Sequence, residues 1–132
     1  MDIIISMNNN EKIITLPICP LPDISKPMNN QVMDTINGPK NIIGEKGLTA
    51  VKISSFFPNT EYSFIRPGAS ANANEYIDFF EELEKRKIPA RFIWISQDEI
   101  QLNLAVTINN FSYKPDKAGD IVYSADFLEF PL

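Results

Sequence analysis

The side chains able to carry chemistry in this sequence are few, and their spacing decides which chemistry they fit. The carboxylates gather as Asp98-Glu99, as Asp116 with Asp120, and as Glu81, Glu82 and Glu84. Two carboxyl groups facing each other across a cleft are what glycoside hydrolysis requires, one protonated and one ionised. Pairs this local are far more common in turns, where a short acidic side chain accepts hydrogen bonds from nearby backbone. Glu81, Glu82 and Glu84 fall on a helical stretch, where consecutive positions diverge around the axis and form a solvated face rather than a metal cage. Cys19 is the single cysteine. It lies among Pro17, Pro20 and Pro22 with no base nearby in sequence, so an inert packed thiol is expected. There is no histidine. Ser-His and Cys-His nucleophile pairs and histidine-ligated metals are therefore ruled out. Neither common glycine-rich phosphate loop occurs. The expectation is a non-enzymatic protein with no cofactor and no metal.

At 132 residues, with 44% apolar and 11% aromatic side chains, the chain has material for one core, and residues 1–132 are read as a single domain. Its N-terminus has an acidic second residue and only three consecutive isoleucines, so neither a signal peptide nor membrane insertion is expected. The lone cysteine permits no internal disulfide, which fits a reducing compartment. A net charge of −5 has the wrong sign for neutralising phosphates, and no specific nucleic-acid binding is expected. The basic run Lys85-Arg86-Lys87 is explained by the dipole at a helix C-terminus.

The elements that must position these residues are mostly strands. Asp2 to Met7 and Glu11 to Leu16 read as a hairpin joined at Asn8-Asn9-Asn10. Pro17, Pro20, Pro22 and Pro27 fix φ repeatedly and delete amide donors, predicting a stiff extended crossing outside any central ladder. Gln31 to Ile36 reads as a further strand, and Gly38-Pro39 with Gly44 to Gly47 as a turn region. Leu48 to Phe57 alternates, with Val51, Ile53 and Phe57 on one face. A helix is predicted over about residues 73–87: Asn72 and Glu75 have capping-box spacing, and Tyr76, Phe79, Phe80 and Leu83 form an apolar stripe. Ala90 to Ile95 is apolar on both faces around Trp94, predicting a central strand. Leu102, Leu104, Val106 and Ile108 alternate with polar residues, and Asp120 to Phe130 changes sides part-way along. The fold class is mainly β (α+β): an antiparallel β-sandwich or barrel with one flanking α-helix.

One stretch breaks the pattern. In Ser54-Ser55-Phe56-Phe57-Pro58 the two neighbouring rings must point to opposite faces of a strand. A second cover is then needed, either the domain's own helix and loop or a neighbouring subunit. The aperiodic segment from Pro58 to Asn72 adds Tyr62, Phe64 and Ile65. Such side chains each gain roughly 1.5 to 3 kcal/mol when buried, so something is expected to pack on them.

Four stretches carry a family resemblance. They are Leu16 to Ile24 (LPICPLPDI), Ser54 to Pro58 (SSFFP), Glu75 through Arg86 to Ile93, and Val106 to Tyr113 followed by Gly119 to Tyr123. In order and spacing the chain resembles baseplate proteins of PBSX-like contractile prophages, a group usually bearing a C-terminal LysM domain. The resemblance implies a tail-tube-like β domain in a virion or phage-tail-like particle, assembled in the bacterial cytoplasm. It also implies a structural adaptor between tail tube and baseplate hub, and a homo-oligomeric ring that by family analogy is a hexamer. This chain stops at Leu132, where the family continues toward LysM, so it is expected to be either a short form with only the assembly domain or a piece of a longer protein. On this view Phe56, Phe57, Tyr62, Phe64 and Ile65 meet a neighbouring subunit, and Pro20 and Pro22 form a second docking arm whose stiffness lowers the entropy lost on binding.

The rival reading is a peptidoglycan- or carbohydrate-binding module in which Trp94 or the tyrosines stack on sugars. Trp94 stands between Ile93 and Ile95, an address typical of a core rather than an open platform.

Overall fold

The computed structural model describes residues 2–7, 11–58, 72–117 and 119–131. In chain order the strands are β1 (Asp2–Met7), β2 (Lys12–Thr15), β3 (Asp23–Ser25), β4 (Gln31–Thr35), β5 (Gly38–Ile42) and β6 (Ala50–Phe57). Helix α1 (Ala73–Arg86) then precedes β7 (Ala90–Ser96), β8 (Glu99–Pro115) and β9 (Ile121–Glu129). Seven strands form one antiparallel sheet in the order β2-β1-β7-β8-β9-β6-β3, and β4 and β5 form a separate two-stranded ladder.

The alternation seen in the sequence places one set of side chains on a common inner face. Cross-strand pairing aligns Ile5 with Phe92, Phe92 with Leu104, Ile108 with Phe127, and Phe127 with Val51. Ile3, Ile5, Phe92, Val106, Ala125 and Phe127 are buried there. Helix α1 covers this face with Tyr76, Phe79, Phe80 and Leu83, as its apolar stripe requires. Phe80 lies at the centre, its ring centroid 4.8 Å from Phe111 and 6.2 Å from Phe127. The helix starts where Asn72 accepts a hydrogen bond from the Asn74 amide at 3.1 Å. It ends at Lys87, whose left-handed backbone (φ 55°) returns its amide to the Leu83 carbonyl at 3.1 Å.

The expected class, mainly antiparallel β with one flanking helix, is the observed one. The barrel form of that expectation is not the one observed: among the described residues the sheet does not close, its ladder ending at β2 on one side and at β3 on the other. The second layer over the inner face is α1 itself. β7 is central, as predicted, between β1 and β8. The proline-rich crossing contributes β3, three residues long and confined to the sheet edge, where a lost amide donor costs least. Strand β8 runs through a bulge between Ile108 and Asn110, and β9 stays paired to it on both sides of that bulge.

Candidate assembly surface

Most of the residues with catalytic potential are engaged in structure. Gln97 and Asp98 both take positive φ (54° and 59°) in the two-residue turn that joins β7 to β8, so Asp98 serves the turn. Asp116 Oδ1 accepts the Asp120 amide at 3.0 Å, and the Asp116 amide donates to the Asp120 carbonyl at 2.9 Å, closing the β8–β9 connection. Glu82 Oε1 accepts from Lys12 Nζ at 2.7 Å, and Glu81 Oε1 accepts from the Tyr113 hydroxyl at 3.2 Å. That bond, together with the Glu81 charge, raises the Tyr113 pKa. Cys19 is half-buried with its Sγ 3.6 Å from the Pro20 carbonyl oxygen. Among the described residues no group of three or more acidic, cysteine or histidine side chains converges on a metal position. Trp94 is half-buried and packs against the core cluster, so it offers no open platform for a sugar ring.

The expected interface residues divide. Phe57 belongs to the core and leaves the expected contact set, because its ring is 0% exposed. It is stacked 3.9 Å from Tyr123 and 5.0 Å from Tyr76. Its cover is the domain's own helix and sheet. Phe56 lies on the opposite face and is half-buried, as are Pro20 and Pro22. Tyr62, Phe64 and Ile65 lie outside the described residues.

A more exposed apolar surface stands elsewhere. Strands β4 and β5 pair only with each other, five residues to five, from Gln31 opposite Ile42 to Thr35 opposite Gly38. Gly38 takes φ 104° beside the turn at Ile36 and Asn37. Bonds from Asn29 N to Glu45 O (2.8 Å) and from Gly47 N to Pro27 O (2.9 Å) extend the pairing toward the sheet. The result is a paired arm about 30 Å long. No side chain of β4 or β5 is buried, yet Val32 is 75%, Met33 52% and Ile36 104% exposed, and Ile43 just beyond is 80% exposed. Exposed apolar side chains contiguous on one projection mark an interaction surface. The neck is tight: a Cβ on Gly44 would lie 1.8 Å from the Asn29 carbonyl oxygen, so only glycine fits there.

The two sheet edges are poorly suited to unspecific pairing. β3 is short and flanked by Pro22 and Pro27, and β2 begins with Lys12, which is tied to Glu82. Between β2 and α1 runs a shallow groove of about 350 Å³ with Ile14 and Phe79 in its lining and Glu75, Asp78 and Glu82 along the helix side. Sequence reasoning assigned neither the arm nor this groove.

The fold recurs in solved structures. A chain of the virion of a native gene transfer agent particle is similar over 99% of this chain and 92% of its own length, with a TM-score of 0.65 at 10% sequence identity. A chain from the tail of an empty gene transfer agent particle, refined helically with C6 symmetry, matches over the same shares with a TM-score of 0.58 at 12% identity. At such identities the likeness is one of fold. No family model and no curated protein matches the sequence.

Proposed function

We propose that this protein is a structural component of a phage tail or phage-tail-like particle, acting by self-assembly rather than by turnover. The observation that carries this reading is the match of nearly the entire chain to a chain of a sixfold-symmetric tail. The residues agree with it: Asp98, Asp116 and Glu82 serve turns and an ion pair, while much of the exposed apolar surface is gathered on an arm. The finer role is that of an adaptor between tail tube and baseplate hub, as a single domain forming a ring of six copies. Contacts of this kind are heterologous and must close by rotation.

Electron microscopy of the purified protein, alone and co-expressed with its genomic neighbours, tests the reading. Rings or stacked tubes with sixfold averages support it. A protein that stays monomeric at all concentrations and joins no particle when its neighbours are present overturns it. Strong retention on peptidoglycan by the isolated chain favours the carbohydrate-binding alternative instead.

A further inference from the structure

We propose that the β4–β5 arm of one copy docks, by one face only, into the groove between β2 and α1 of a second copy. The inference rests on the self-assembly reading above and names the surface that receives the arm.

The arm has two unlike faces. Register places Met33 opposite Lys40 and Gln31 opposite Ile42, so Met33, Lys40 and Ile42 share one side. Val32 opposite Asn41 and Asp34 opposite Pro39 occupy the other. The first side joins two apolar chains to a cation, and the second carries an acid. The groove is the counterpart of the first side. Its lining includes Ile14 and Phe79, and its rim presents Glu75 and Asp78. Lys12, the one cation in that lining, is held by Glu82 at 2.7 Å. Glu75 and Asp78 are exposed and have no cationic partner among the described residues. Lys40 likewise has none, and it is exposed on the arm.

Charge is segregated at larger scale too. Residues 26–47 carry three lysines against two acids, within a chain whose net charge is −5. Those residues are net positive, opposite in sign to the whole chain, and a second copy offers Lys40 the acidic rim of the groove. Met33 and Ile42 desolvate over the groove floor while Lys40 reaches the Glu75–Asp78 rim, so the rim charges set register and on-rate. Asp34 on the face turned away avoids the acidic rim, which gives the docking its sidedness.

Two experiments test this on the full chain. In a Cys19→Ala background first shown to assemble like the wild type, chains with Met33→Cys and chains with Ile13→Cys are mixed and oxidised; Ile13 lines the groove and is 57% exposed. A mixed disulfide between positions 33 and 13 is expected, with little or none when Val32→Cys replaces Met33→Cys. In the wild-type background, Lys40→Glu is expected to weaken association about tenfold, and adding Asp78→Lys to restore most of it. Tubes that form normally without the 33–13 bridge, or with equal bridging from position 32, overturn the docking geometry and leave the tail reading intact. So does Lys40→Glu without effect on association. A wild-type chain that never associates removes both.

Discussion

The rings of Phe57 and Tyr123 are stacked, with 6° between their planes and centroids 3.9 Å apart, at the meeting point of β6, β9 and α1. The stack joins two strands and, through Tyr76, the helix above them. Phe57→Ala is expected to cost about 3 to 5 kcal/mol of folding free energy in urea titration, because the cavity it leaves is walled by three elements. Tyr123→Phe is expected to behave in the opposite way. The phenol is buried with no hydrogen-bond partner among the described residues, and burial pushes its pKa far above the ordinary value. Removing an unpaired buried hydroxyl leaves stability unchanged or raises it.

Glu129 and Thr49 clasp each other in both directions. The Thr49 amide donates to Glu129 Oε1 at 3.0 Å, and the Glu129 amide donates to the Thr49 carbonyl at 2.8 Å. The Thr49 amide bond is the main cause that lowers the carboxyl pKa of Glu129. A carboxylate whose folded pKa is depressed contributes stability fully present above the unfolded value and lost as pH falls through the folded one. Thermal unfolding followed from neutral to acid pH is expected to show this loss. Glu129→Gln keeps an acceptor for Thr49 and removes the charge, so that portion of the acid slope is expected to flatten.

The arm and the core are energetically separate. Met33→Ser with Ile42→Ser replaces two exposed side chains of the docking face, 52% and 41% exposed in their own chain. Folding stability is expected to stay within about 0.5 kcal/mol of the wild type. Sedimentation is expected to show assembly reduced or lost. A drop in both together contradicts the separation.

The helix ends offer a matched pair of local tests. Lys87 holds a left-handed backbone that glycine adopts without a Cβ penalty, so Lys87→Gly is expected to stabilise the fold by about 1 kcal/mol. Asn72→Ala removes the N-cap and is expected to cost about the same. Equilibrium unfolding measures both.

Legibility in the sequence followed burial. The β1–β2 hairpin, β6, α1 and the central β7 bury a face against their own domain, and that face leaves a period that can be read. In β8 the period was followed only to Asn109, because the bulge at Ile108 and Asn110 adds a residue and shifts the phase. Phe111 then lies on the inner face, at an odd position where Val106 and Ile108 are even. In sequence β5 reads as a turn, because its Gly38-Pro39 start is a turn signal and none of its side chains is buried to leave a period against it. An element that meets no surface of its own chain carries no internal period. Phe57 was drawn into the expected interface by its neighbour Phe56, although alternation had already assigned it inward. The groove joins Ile13 and Ile14 to Glu75 and Asp78, residues about sixty positions apart, and only folding brings them together.

The arm leaves the body as two hydrogen-bonded strands pinched at Gly44, a stiff spike rather than a slack tether. Stiffness spares the ordering entropy when the spike lands, but a newly made copy cannot fold its grease away while it waits. Dissolved copies at high concentration are therefore expected to clump through these side chains. Under the assembly proposed above, timing becomes part of the protein's chemistry: supply is matched to growing ends, or each spike is sheathed until an end is free.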